Sequence, residues 1–197
     1  MLTKVVPVYV AAVLVVGMLG LTSAPASAQL PPLLGGSGHT GGEGTGHVPV
    51  PCDFITSGGY VFTDIGEHAN FGAHGGCKNG DFWGHVNYVD HAFPKLHLNS
   101  TEITGYLDPA PPSNARDICG IARTDLFGTV RFRVRLIDNG EPGNSDQFGI
   151  RLSAGGYVVS TRVLGGGNVQ LHEPNPSTVG PDPAPDEATM CGGVAAP

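Results

Sequence analysis

The sequence is poor in charge. Asp, Glu, Lys and Arg make up 14% of it, with 10 basic residues against 17 acidic ones and a net charge of −7. An acidic chain without a basic run repels phosphate backbones, so nucleic acid is not an expected partner. Motifs of familiar catalytic chemistry are also missing: there is no GxSxG elbow, no HExxH and no GxxxxGK[ST] phosphate loop. No window shows a sustained helical period, and beyond the N-terminal segment no apolar run approaches the roughly 20 residues that span a bilayer. Aromatic residues are sparse, with a single Trp, and there are only four cysteines. Glycine (31) and proline (17) are what the chain has in quantity.

The N-terminus has the three parts of an export signal. Lys4 provides a basic start, Val5 to Leu21 is mostly apolar, and Ala26-Ser27-Ala28 fits the small-x-small rule for cleavage after Ala28. Pro7 and Gly17 interrupt the apolar run, which argues against a permanent anchor. Removing residues 1–28 takes Lys4 away and leaves 169 residues, nine basic against 17 acidic, for a net charge of −8. The expectation is a secreted, extracellular or cell-surface chain with no membrane span after cleavage.

Cys52, Cys77, Cys119 and Cys191 all lie in the exported part. An even count in an oxidising compartment predicts two disulfides, and the spacing contains no CxxC clip for zinc. Three pairings are open. Cys52 and Cys191 flank the strand-rich region and could tie its tails together, which would leave Cys77 with Cys119.

Residues 29–51 form a Gly/Pro-rich stretch that reads as a flexible linker. Gly36-Ser37-Gly38-His39-Thr40-Gly41 matches GxGxxG, but neither a strand nor a helix frames it, and the pattern needs both. Residues 173–197 read as a Pro-rich tail, extended or disordered except where Cys191 pins it.

Residues 52–172 carry period-two patterns between turns. In Thr129–Ile137, Val130, Phe132, Val134 and Leu136 fall on one face and Arg131, Arg133 and Arg135 on the other. Phe148, Ile150 and Leu152 resume the alternation after a turn-rich loop. Other expected strands are Gly59–Asp64, Ala69–His74, Phe82–Asp90, Lys95–Tyr106, Ile118–Leu126, Gly156–Leu164 and Asn168–His172. The fold class is therefore all-β, an antiparallel β-sandwich or flattened barrel with disordered tails. Trp83, Tyr88, Phe132 and Phe148 are the main core candidates, since buried aromatic area usually serves packing.

Three groups of residues could carry chemistry. Asp138, Glu141 and Asp146, with Asn144 and nearby carbonyls, offer the oxygen ligands calcium prefers. Gly140, Gly143 and the Asx residues explain the same loop as a hairpin turn, which is the favoured reading. No motif requires a cofactor, and calcium is the one ion this loop suits. His85, His91 and His97, with Asp90, could meet on a hairpin and hold zinc or copper, although their alternation with Val86, Leu96 and Leu98 fits a solvated strand face. Asp90, Glu102, Asp138 and Asp146 are the carboxylates from which a hydrolytic pair could be assembled.

Several segments, taken in order, resemble a known family. They are Phe54-Ile55-Thr56-Ser57-Gly58-Gly59-Tyr60, Ala69-Asn70-Phe71-Gly72-Ala73-His74, Gly84-His85-Val86-Asn87-Tyr88-Val89-Asp90-His91 and Ser100-Thr101-Glu102-Ile103-Thr104. The set continues with Asp138-Asn139-Gly140-Glu141-Pro142-Gly143-Asn144-Ser145-Asp146-Gln147-Phe148 and Leu164-Gly165-Gly166-Gly167-Asn168-Val169-Gln170-Leu171-His172. Over residues 52–172 the chain resembles the post-COAP type of domain of secreted bacterial proteins. The resemblance implies an exported β-rich module and supplies no catalytic residues. The function expected is a secreted, non-catalytic β-domain that binds or structures an extracellular or cell-envelope ligand. The alternative is a small secreted hydrolase acting on a glycan or envelope polymer.

Overall fold

The structure is a computed structural model that describes residues 46–111 and 113–197. The export segment 1–28 and the linker as far as residue 45 lie outside the described residues. Among the described residues nine strands form: β1 (Phe54–Phe62), β2 (His68–Lys78), β3 (Asp81–Asp90), β4 (Leu96–Leu107), β5 (Ala115–Thr124), β6 (Gly128–Ile137), β7 (Gln147–Leu152), β8 (Val158–Val163) and β9 (Gly166–His172). They pair antiparallel in one sheet, ordered β8-β7-β6-β5-β4-β3-β2-β1-β9. Eight strands thus meander, and the ninth returns to the far edge beside β1.

That return forces curvature. Laid flat, eight strand spacings of about 4.8 Å would hold β8 and β9 about 38 Å apart. Only Leu164 and Gly165 join them, so their facing ends can be no more than about 11 Å apart. The sheet curls, and its two edges come together. Of the all-β expectation, sandwich or flattened barrel, the described residues form one curled antiparallel sheet, a half-barrel.

Alternation places the core inside the curl. Val130, Val134, Leu136 and Phe132 of β6 are buried. The Phe132 ring lies against Gly120 of β5 where a side chain would otherwise stand. Phe148 stacks between Phe71, with ring centroids 4.0 Å apart, and Tyr88, at 5.9 Å. Tyr88, Phe132 and Phe148 have no exposed surface. Trp83 departs from expectation: it is half-buried on the outer face, with its indole N–H donating to Cys77 O at 3.1 Å. Register explains this. Trp83 and Tyr88 stand five residues apart on one strand, so they point to opposite faces.

Both disulfides form, as Cys52–Cys77 and Cys119–Cys191, with Cα atoms 6.0 and 4.9 Å apart. The Cys52–Cys191 and Cys77–Cys119 pairing is therefore incorrect. The β1–β2 register sets Phe54 opposite Gly76, which carries Cys52 to Cys77. Cys119 points outward from β5 and meets the C-terminal segment instead.

That segment is the second departure. Residues 187–191 form a one-turn helix, α1 (Glu187–Cys191). Asp186 caps it, accepting from Thr189 N at 2.6 Å, and Gly192 ends it at φ 58°. These main-chain bonds hold the Asp186 carboxyl below its ordinary pKa. Asp186, Glu187 and Gly192-Gly193 are start and stop signals readable in the sequence. The folded part also begins earlier than residue 52: Val48 is buried and His47 bridges Asp108.

Candidate functional site

The outward surface of the sheet divides into two faces. On one, a strap made by residues 186–197 crosses β4 to β8 in order. Thr104 Oγ1 donates to Met190 O at 2.6 Å, Cys119 is bonded to Cys191, and Arg133 pairs with Glu187 at 2.6 Å. Arg151 Nε then donates to Ala196 O at 3.0 Å, and Thr161 Oγ1 to Pro197 O at 3.2 Å. Beneath the strap, Asp117 is fully buried and binds both Arg133, at 2.5 Å, and Arg135, at 2.7 Å. The hydrogen bonds that Arg135 donates to Asp117 lift the pKa of its guanidinium above the ordinary value despite burial. In the arginine stripe of β6, Arg133 and Arg135 are thus covered and paired, and Arg131 lies against Gly192 of the strap.

A cavity of about 660 Å³ lies between strap and sheet, and a depression of about 580 Å³ opens at one end of the curl. The buried charges in both are already paired. At the sheet end, Asp53 accepts from Arg116 and, at 2.5 Å, from Tyr106. Burial and the neighbouring Asp53 push the Tyr106 hydroxyl far up. Burial opposes the Arg116 charge, but its bonds to Asp53 outweigh that and raise its pKa. Asp90 accepts from Tyr157 at 2.6 Å, and Tyr157 meets Tyr88 at 2.7 Å. Burial raises both phenols. These networks lock the sheet.

The acidic loop holds the seam between the sheet edges. Asp146 is fully buried and accepts from Asn139 N at 2.8 Å and Val169 N at 2.7 Å. Asp138 accepts from Gly140 N at 2.8 Å and Leu171 N at 2.7 Å. Val169 and Leu171 lie on β9, so the two carboxylates take the edge amides that an adjacent strand would otherwise satisfy. Glu141 accepts from Asn168 at 3.0 Å. The oxygens considered for calcium are thus engaged by the protein itself. Among the described residues no group of three or more His, Cys, Asp or Glu converges to hold a metal.

The other outer face, on β9, β1, β2, β3 and the start of β4, has a different composition. Its outward positions are Asn168, Gln170 and His172; Phe54, Thr56, Gly58, Tyr60 and Phe62; His68, Asn70, Gly72 and His74; Trp83, His85, Asn87, Val89 and His91; then His97 and Asn99. To these the same alternation adds Lys78 and Asp81, directly opposite each other at the hairpin end of β2 and β3; none of the rest is Asp, Glu, Lys or Arg. Six of the chain's eight histidines are here. Side chains on this face bond largely to one another: Thr56 with His172 at 2.9 Å, His91 with Asn70 at 2.8 Å and Asn87 with His97 at 3.2 Å.

The structure does not gather His85, His91 and His97. It sets His85 opposite His74 and His91 opposite His68, with ring centroids 6.3 and 5.5 Å apart. His85 also meets Ser100 Oγ at 3.0 Å. Burial, and then the His85 charge, lower the pKa of His74. Aromatic rings cluster at two places along β1. Near its start, Phe54 stacks on His172 at 4.3 Å with Trp83 beside it at 6.2 Å. Near its end, Tyr60 stacks on His68 at 4.6 Å, with Phe62 at 5.9 Å. Strand alternation alone could have identified this face, because the buried residues of β1–β3 fix which positions point out.

No described helix is long and apolar enough to cross a membrane, and the two disulfides are consistent with an oxidising compartment. No protein-family model matches the chain, and neither does any curated protein or any solved structure.

Proposed function

We propose that the chain is an exported, non-catalytic module that holds an extracellular or cell-envelope polymer on the outer face of β9, β1, β2 and β3. The observation that carries this reading is the contrast within one sheet: one outer face is strapped, with Arg133 and Arg135 paired to Asp117 and Glu187, whereas the other presents rings, amides and imidazoles with Lys78 and Asp81 alone as charges at its hairpin end. Export rests on residues 1–28, with cleavage after Ala28, and the disulfides support it through the compartment they need. The ordered likeness to the post-COAP type of domain agrees with an exported β-module.

The test is co-sedimentation of the full chain, expressed with its own N-terminus and recovered after export, with an insoluble envelope fraction of its host. Retention should fall when Trp83→Ala or Phe54→Ala is introduced and should be unaffected by Arg151→Gln on the strapped face. Equal retention of all variants would remove the proposed face. Intact-mass measurement of the same material should give the chain that starts at Gln29.

A further inference from the structure

We propose that the polymer held on this face is an uncharged polysaccharide strand, lying along β1 and β2 over a floor made by Gly58 and Gly72. This inference rests on the binding reading above and specifies its ligand.

The argument begins with two glycines that the fold does not require. Glycine inside a strand weakens it, and such a residue usually marks a bulge, a bend or the close approach of something else. Most described glycines have such a reason. Some adopt positive φ in turns, as Gly66, Gly80 and Gly140 do. Others lie so close to a neighbour that a Cβ would collide, as Gly76 against Phe54 or Gly105 against Met190. Gly58 and Gly72 differ. Neither has a positive φ, and a Cβ would meet nothing nearer than 4.0 Å at Gly58 and nothing within 4 Å at Gly72. The β1–β2 register runs through them without a shift and sets the two directly opposite each other. Their freedom from side chains serves no internal contact, so the close approach comes from outside.

What surrounds the floor identifies the chemistry. Along β1 the two aromatic clusters stand on either side of it, Phe54 before Gly58 and Tyr60 after. From Phe54 to Tyr60 is six residues, about 20 Å at the rise of an extended strand, which suits a chain of several sugar rings. Sugar rings present C–H groups that pack on aromatic faces, and Trp83, Phe54 and Tyr60 offer half-buried rings already fixed by stacking on histidines and one another. Hydroxyl groups need donors and acceptors without net charge. Thr56, Asn70, His74 and Asn87 border the floor and provide both. The ionic side chains of the face, Lys78 and Asp81, stand opposite each other at its hairpin end, six residues along β2 from Gly72, so a charged polymer over the floor would exchange its water for no counter-charge, which costs free energy.

The experiment pairs a fold-neutral variant with defined probes. In Gly72→Val a β-branched residue replaces glycine in a half-buried strand position with open space, so the melting temperature should stay the same or rise. The same valine would stand in the floor and should lower retention on a neutral polysaccharide about tenfold, as should Trp83→Ala, each corresponding to about 1.4 kcal/mol. The probes are insoluble cellulose and insoluble chitin, with polygalacturonate gel as the anionic comparison. The native chain should be retained on a neutral matrix and remain there in high salt, since no ion pair is involved. Retention on polygalacturonate alone, release by salt, binding to none of the matrices, or unchanged retention of Gly72→Val would each overturn the proposal. Failure of the ligand class and of the face are separable. If both variants lose the envelope fraction while the neutral matrices neither retain nor compete, the glycan falls and the face stands. If envelope retention ignores both variants, the face falls.

Discussion

The outer faces of β4–β8 and of β9–β3 belong to one sheet but solve opposite problems. The first carries Asp117, Arg131, Arg133, Arg135 and Arg151, and the chain's own C-terminal segment covers it, supplying Glu187 and main-chain carbonyls. Charges taken out of water must be paired closely, and Asp117, Arg133 and Arg135 are. The second face carries one opposed pair of charges, Lys78 and Asp81 at its exposed hairpin end, and needs no such cover. Its amides, hydroxyls and imidazoles bond weakly to one another and can exchange those bonds for equivalent ones to a ligand. A surface whose polar groups are held by one another at modest strength is suited to binding, whereas buried ion pairs under a covalent strap are suited to holding shape.

The comparison predicts a steep difference in tolerance. Replacing Cys119 and Cys191 with serine reopens a 72-residue loop, and loop entropy puts the cost at about 4.4 kcal/mol, against about 3.5 kcal/mol for the 25-residue loop of Cys52–Cys77. Denaturant unfolding of the two double variants gives the order directly, and equal losses would mean that the strap adds little. Next in size is Asp117→Ala, which strands Arg133 and Arg135 without their shared carboxylate and should destabilise by about 3 kcal/mol or more. On the open face, Asn70→Ala removes the partner of His91 and should cost less than about 1 kcal/mol. Similar values for these two would erase the distinction between the faces.

Between these two values falls the seam. Asp146→Asn keeps the shape but turns one amide NH₂ toward a backbone N–H, at Asn139 or Val169, for a loss of about 2 kcal/mol. Because the loop's oxygens already accept from the main chain, excess calcium should leave the melting temperature unchanged. A clear rise with calcium would mean that the ion displaces those bonds.

The nine strands were legible because hydrophobic alternation is a local property of each segment. The strap was not, because the arginines of β6 show the same period whether water or a distant helix lies outside. Only the pairing of Cys119 with Cys191 decides between these, and cysteine positions leave three pairings open. The acidic loop looked like a ligand set for a related reason. Asp138 and Asp146 are read as turn residues or metal ligands only until β9 is placed opposite them, and that placement depends on the whole curl. Trp83 was a misreading that parity could have prevented, since an unbroken strand cannot bury both it and Tyr88 on one face. Gly58 and Gly72 gave no signal at all in a chain with 31 glycines; their meaning comes from the space left around them.

The mildest difference between the faces lies in their response to acid. Under the strap, Arg135 is held charged by Asp117, and at the sheet end burial keeps Tyr106 protonated, so neither group changes state between neutral and mildly acidic pH. On the open face, His74 has its pKa lowered from 6.5, first by burial and then by the charge of His85 opposite it. A base with a depressed folded value binds fewer protons than the unfolded chain does over the interval between the two values. Stability is therefore complete above about pH 6.5 and declines as the pH falls from there through the folded value. His74→Gln should flatten that decline without altering stability at pH 8. The direct check is an NMR titration of the His74 ring, and a midpoint at or above 6.5 would refute the assignment. Cross-strand neighbours Thr56 and His85, with Trp83 alongside, bring no carboxylate to this ring, so protonation there meets no compensating charge, and the slope should persist in salt because burial is its first cause.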